Sequence, residues 1–457
     1  MKKFWLFLLS LGLLMAFSAS AFAVDVQVSG SYYVGGLYLN KIAVSDNGSS
    51  PDPSTAFFYQ RLRVETDFIV SPGLKLITRF DALERVWGGS RSNPGTSDYP
   101  YSIATMAEEQ NIAFNLMYVE YTSPIGLFQV GYIHDNNWGI PGNTFGKSDD
   151  NGHSTAGIQY IVPIGSLVLG SVYYMENDQS YSAVNSTATT TDADWESLSG
   201  YAIYFFNHGS STGIIFDWNR KATDRPYPGA FGGNLTNTYV LAPYVQYKSG
   251  PVLLEAEFAY GWGSVNWEDG GIGPTGQNVV LQTIGAYLNA NYTINAFYIG
   301  GQFAYVSGPG NDPNHVNNFL GAGNDWNPCL IMFNNDLTYW VGPINGYSGT
   351  SNSSVPGTGM TNADFYQLYG GVHPTTKWDI KASVSYAAAD TVPTGFTGDK
   401  TYGTELDVTA TYKITNNLSY MLGAGYWWVG SYYKGATTGN NNLDDDYMLL
   451  NKLTLTF

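Results

Sequence analysis

Five of the chain's seven arginines fall between Arg61 and Arg91. Along this stretch the odd positions are Arg61, Arg63, Glu65 and Asp67, and the even ones are Leu62, Val64, Thr66 and Phe68. A period of two puts each set on its own face of a strand. Ser71-Pro72-Gly73 follows, with Arg79, Asp81 and Arg85 beyond it. Read as a three-residue turn, it pairs Val70 with Leu74 and sets Arg63 opposite Asp81 and Glu65 opposite Arg79. The other face then brings Val64 to Phe80 and Phe68 to Leu76. Opposite charges meet and apolar residues meet, from a register fixed by the turn alone. The chemistry on offer is electrostatic, a ladder of guanidinium and carboxylate groups facing water.

More acids take the same parity elsewhere. Glu255 and Glu257 oppose Leu254, Ala256 and Phe258; Asp379 opposes Trp378 and Ile380; Glu405 and Asp407 oppose Leu406 and Val408. Covalent chemistry has little to work with. His134-Asp135 is the nearest acid–base pair, and such a pair at a loop mouth is ordinarily solvated. Asp149-Asp150-Asn151-Gly152 and Asp444-Asp445-Asp446 lack the spaced ligands and terminal Glu of a calcium loop, and turn chemistry explains them. Cys329, the single cysteine, cannot form an internal disulfide or hold an iron–sulfur cluster. No enzyme activity, resident metal or cofactor is expected. A formal charge of −17 argues against nucleic-acid binding.

The elements that position these residues are strands. Aromatics make up 16% of the chain and charged residues only 12%, with a mean hydropathy of −0.14. Ordinary soluble proteins carry about twice that charged fraction. A helical membrane protein would have clearly positive hydropathy. Alternation gives this balance, because apolar residues then occupy every second position. Eight tight-turn signals punctuate the chain, at 71–73, 123–126, 162–165, 207–210, 248–250, 293–295, 373–375 and 415–417. Nine longer Gly/Asn/Asp/Ser/Thr-rich loops begin near Asn40, Gly88, Asp135, Asp178, Thr223, Asp269, Gly308, Asp390 and Gly435. Short turns on one rim and long loops on the other describe an all-β, antiparallel, up-and-down transmembrane barrel. The count is eighteen strands, with sixteen as the alternative. The register of 197–206 is ambiguous.

The first 23 residues have the pattern of a cleavable signal peptide: Lys2 and Lys3, an apolar run from Phe4 to Phe17, then Ala21-Phe22-Ala23. Residues 24–457 would form one barrel domain, with a formal charge of −19 once the two lysines are removed. Aromatics beside the tight turns (Phe68, Tyr121, Phe128, Tyr160, Tyr247, Tyr292, Phe297, Trp378, Tyr412) suit a girdle at a membrane interface. The last strand alternates Leu453, Leu455 and Phe457 against Lys452, Thr454 and Thr456.

Signal peptide, eighteen-strand pattern and terminal Leu-x-Leu-x-Phe together resemble the porins of the Gram-negative outer membrane. That resemblance implies a water-filled pore for passive diffusion of ions and small hydrophilic solutes. It also implies outer-membrane lipid and the barrel-assembly machinery as partners, a homotrimer, and both termini in the periplasm. Leu453, Leu455 and Phe457 would be the assembly signal. A substrate-specific channel for sugars or other small solutes is the nearest alternative, and an adhesin or the sheath of a redox partner a more distant one.

In such a barrel the charged face is the lumen, since a charge on the lipid face costs about 2–4 kcal/mol at mid-membrane. Arg79, five residues beyond Leu74, would sit roughly 13 Å up the wall, near the middle of an apolar band about 25 Å tall. Arg61, Arg63, Arg79 and Arg85 then border a constriction, or stiffen the hairpin as a structural ladder. The third loop, with Trp138, Phe145, Asp149 and Asp150, either folds inward, as in the porins it resembles, or stays at the surface. The seventh, Gly308–Thr361, carries the apolar pieces Cys329–Phe333 and Tyr339–Val341. Its length and content require packing, inside the lumen or against a neighbouring subunit.

Overall fold

The computed structural model describes residues 24–42, 44–46, 54–88, 112–134, 138–139, 154–178, 193–223, 233–267, 278–310, 312, 314–321, 326–341, 360–392, 398–435 and 442–457. Eighteen long strands carry most of them. They are β1 (Asp25–Leu39), β2 (Thr55–Ser71), β3 (Leu74–Val86), β4 (Ile112–Ser123), β5 (Gly126–His134) and β6 (Ser154–Ile164). Next come β7 (Leu167–Asn177), β8 (Trp195–Asn207), β9 (Ser210–Thr223), β10 (Asn234–Ser249), β11 (Val252–Asn266) and β12 (Val279–Ile294). The last six are β13 (Phe297–Val306), β14 (Ala363–Val372), β15 (Trp378–Ala388), β16 (Thr401–Lys413), β17 (Leu418–Val429) and β18 (Asp446–Thr456). Each pairs antiparallel with its chain neighbours. β18 returns to β1, with Val34 opposite Leu453 and Leu37 opposite Leu450, so the sheet closes and has no edge.

Alternation sorts each strand as the sequence requires. Leu254 and Phe258 on β11, Val384 and Tyr386 on β15, and Leu406 and Val408 on β16 are exposed on the outer face, whereas Glu255, Ser383, Ser385, Glu405 and Asp407 are buried inside. Near the short turns the girdle pairs across strands, with Phe128 stacked on Tyr160 at 4.6 Å and Trp378 against Tyr412 at 4.8 Å. All eight short connections fall where the turn residues stand. The third is displaced, because β6 runs on through Pro163 to Ile164 and turns at Gly165, whose φ is +61°. β8 occupies 195–207, with Ser199 buried inside and Leu198 and Tyr204 exposed outside.

The first hairpin keeps the expected register but reaches it by a different turn. Arg63 faces Asp81, Val64 faces Phe80, Glu65 faces Arg79 and Phe68 faces Leu76. At the end, however, Ser71 and not Val70 pairs with Leu74, around a two-residue Pro72-Gly73 turn, and a bulge at Val70 restores the register. Gly73 has φ +80°, a conformation glycine adopts without penalty.

Candidate functional site

The inner wall of β2 and β3 carries a ladder of charges. Arg63 grips Asp81 with both Nε and Nη2, at 2.7 and 2.8 Å. This two-pronged contact is the strong form of an Arg–carboxylate pair. Asn115 of β4 extends it, donating to Asp81 at 3.0 Å and accepting from Arg79 Nε at 2.8 Å. Arg79 also approaches His134 Nε2 at 3.3 Å. Glu65 is opposite Arg79 in register, yet the guanidinium turns away from it to β4 and β5. Asp67 takes Lys75 at 3.2 Å nearer the short turns.

The alternation of this wall is broken once, on β3. Leu83 is left-handed, with φ +49°, and this reverses the alternation of β3 beyond it. Leu83 itself points outward, 36% exposed. Glu84, which strict parity puts outside, comes inside and meets Arg61 at 3.5 Å. Arg85 comes opposite Gln60 in register, with its side chain buried, 3% exposed. The sequence did carry a warning: unbroken alternation would have put a glutamate on the lipid face.

A second set of side chains closes over the adjoining part of the wall. Of the seventh connection, between β13 and β14, segment 326–341 lies inside the barrel. Trp326 packs on Phe365 of β14 at 5.0 Å, and Phe333 packs on the same ring at 5.4 Å. Phe333 has φ +52°, so the chain doubles back there. Asn334 then caps helix α1 (Asn335–Val341), its Oδ1 accepting the Leu337 N–H at 2.7 Å, with Asp336 in the first turn. The helix ends on the charged wall. Trp340 lies 4.7 Å from the Tyr59 ring, the Tyr339 hydroxyl bonds Glu84, and Asp336 lies 3.9 Å from Lys452 of β18. Of the two places open to this loop, it takes the lumen, lining an arc from β14 through β18 to β3.

Glu405 fixes the start of that arc. Its two carboxylate oxygens accept the backbone N–H groups of Ile331 (2.7 Å) and Met332 (2.6 Å), and the side chain is wholly buried. Asp407, 4% exposed, lies beside it. Both face inward as expected, but they lie beneath the loop and not along open lumen. Gln367 Nε2 adds a bond to the Pro328 carbonyl at 2.8 Å. Gly423 and Gly425 leave the wall flat enough for Leu330 to rest on it; a Cβ at either would come within 3.2 Å of that side chain. Burial, with Glu405 and Asp407 alongside, pushes the Cys329 thiol well above its ordinary pKa.

The remaining expected residues are distributed as follows. Glu255 is inside and nearly buried, held by Asn289 at 2.7 Å and Gln246 at 2.9 Å. Glu257 is inside and half-buried. Asp379 is at the short-turn rim, accepting from Tyr298 at 3.0 Å, with His373 at 3.4 Å. Trp138 of the third connection reaches the inner face of β8–β10. It lies 5.3 Å from Tyr244 and donates to the Ala242 carbonyl at 2.8 Å, beside Pro243, which has no N–H to give the ladder. Phe145, Asp149, Asp150 and Asp135 lie outside the described residues. The acids of the 444–446 run are engaged locally: Asp444 with Lys41, Asp445 with Tyr426 and the Val429 amide, Asp446 with the amides of Lys41 and Tyr447.

A closed eighteen-strand antiparallel barrel with a charged interior and an inward-folded long loop has the fold of the outer-membrane porins. OccAB1 of Acinetobacter baumannii superposes with a TM-score of 0.54 at 11% identity, over 96% of this chain and 99% of that one. OccK8 (OprE) of Pseudomonas aeruginosa gives 0.52 at 10% identity, over 94% and 98%. No family model matches the sequence, and no curated protein matches it.

Proposed function

We propose that the protein is a porin, a passive pore for ions and small hydrophilic solutes in the outer membrane, and not an enzyme. The observation that carries this reading is an interior built from Arg61, Arg63, Arg79 and their acids, with segment 326–341 packed inside the barrel and ending beside them. Charges at a narrow bore act through low-dielectric walls and bias which ions pass. The segment and the arginine wall together form the constriction, with Trp138 narrowing the far side. Reconstitution in planar bilayers tests this: discrete ohmic steps are expected, and an electrically silent, correctly folded barrel would rule it out.

A substrate-specific channel is the second reading, favoured by the extent of wall that the segment covers. Liposome swelling with sugars of graded size separates the two, since a specific channel saturates and a general one only sieves. The proposal extends to export behind residues 1–23, removal of that segment, assembly as a homotrimer and periplasmic termini. Leu453, Leu455 and Phe457 would be read by the barrel-assembly machinery. In the barrel, Phe457 exchanges backbone hydrogen bonds with Gly30, at 2.9 and 3.0 Å. Deleting Phe457 should leave a secreted but poorly inserted chain, and wild-type yield would refute the assembly role.

A further inference from the structure

Cys329, Glu405 and Asp407 are brought together from distant positions, on the loop and on β16. Their ligating atoms all lie within 4.8 Å of one another, and all three residues are buried. We propose that they form a binding site for one divalent cation of the zinc class, which fastens the lumenal segment to the barrel wall.

Three observations carry the assignment. First, neither oxygen of Asp407 has a hydrogen bond of ordinary geometry, although the residue is only 4% exposed and the Glu405 carboxyl, the Leu330 amide and Ser383 are its polar neighbours. An unmatched buried carboxylate is costly unless a cation or proton meets it. Secondly, the charges balance. Two carboxylates face the single ammonium of Lys381, which lies over the Tyr369 ring at 4.9 Å. A dication bound by both carboxylates and the thiolate makes the group neutral together with Lys381; the Cys329 proton leaves to solvent on binding. Thirdly, the carboxylates are left unobstructed by a side chain from the neighbouring strand. A Cβ at Gly425 would stand 2.6 Å from Asp407 Oδ1 and 3.4 Å from Glu405 Oε1, so only glycine leaves both oxygens clear there.

The donor set selects the metal. A thiolate with two carboxylates suits a borderline ion and not calcium or magnesium, which take oxygen alone. A tetrahedral ion with bonds of about 2.0–2.3 Å holds its ligands roughly 3.5 Å apart, a small contraction of the observed cluster. Glu405 spends one acceptor position per oxygen on Ile331 and Met332, leaving another on each. The fourth position would belong to water.

The competing arrangement is a single proton shared by Glu405 and Asp407, with the thiol protonated, which is also neutral with Lys381. Metal analysis separates them. The full barrel, folded in detergent, is equilibrated with micromolar zinc chloride, dialysed, and measured by mass spectrometry for zinc per chain. A parallel sample with cobalt(II) is read for the thiolate-to-metal charge-transfer band in the near ultraviolet. One ion per chain is expected in the wild type, with the cobalt band, and neither in Cys329→Ser or Asp407→Asn. Heat-modifiable gel mobility verifies that each variant is folded. A folded wild-type barrel that leaves dialysis without zinc overturns the site, as does Cys329→Ser that retains the ion. Neither result depends on conductance, so the site and the porin reading fail separately.

Discussion

Met332 donates its backbone N–H to Glu405 at 2.6 Å, joining a loop to a barrel strand 73 residues later in the chain. Ile331 does the same to the other oxygen of that carboxylate. Two adjacent amides on one buried acid leave the segment little freedom to leave the wall.

Glu405→Ala should therefore loosen the segment while leaving the barrel intact. Each lost bond to the charged group is worth about 1.5–3 kcal/mol. Larger, noisier single-channel conductance is expected, together with faster maleimide labelling of Cys329 in the folded protein. Unchanged conductance alongside faster labelling would show that the segment moves without setting the bore.

The charged wall should control ion preference. Glu405 and Asp407 lie beneath the segment, so the field at the bore falls to Arg63, Arg79 and the acids nearest them. Replacing Arg63 and Arg79 with Gln should raise the cation-to-anion permeability ratio. The effect should be larger at low salt, since screening sets in beyond about 8 Å at physiological ionic strength. A reversal potential that does not move across a salt gradient would return these arginines to a structural role.

The left-handed residue on β3 offers a stability test. Leu83→Gly removes the Cβ penalty of about 1–2 kcal/mol for that conformation, whereas Leu83→Val adds a β-branched clash. The urea midpoint of the valine variant should fall below that of the glycine variant. Equal midpoints would mean that the reversal at Leu83 is not held in solution.

Acid should loosen one rim contact. Asp399 accepts the Ser431 hydroxyl and the Thr401 amide, at 2.8 Å for the latter, and these bonds hold its carboxyl below the ordinary range. A depressed carboxyl stabilises the fold above its unfolded pKa and ceases to do so as pH falls through its folded one. Exchange protection at the Thr401 amide should thus drop in strongly acidic buffer. Asp399→Asn should show weak protection at every pH; an acid-dependent drop persisting in that variant would assign the titration elsewhere.

Strand number, the eight short connections and the faces of most strands were legible in the sequence, because a period of two and a turn signal are local properties. The hairpin register from Arg63 to Phe68 was legible for the same reason, although a bulge at Val70 replaced the expected turn. Glu84 was missed as the partner of Arg61, because one left-handed residue at Leu83 shifted the phase of the strand and an outward-parity glutamate was its one local sign. Glu405 and Asp407 take the inner face that their parity assigns, but both are buried beneath the segment. Whether a lumenal acid meets water or a loop depends on where a chain segment more than sixty residues away comes to rest. That choice belonged to the tertiary structure, in which Trp326, Phe333 and Trp340 found apolar partners on the inner wall and two amides found Glu405. The joining of Cys329 to that acid pair was decided by the same packing.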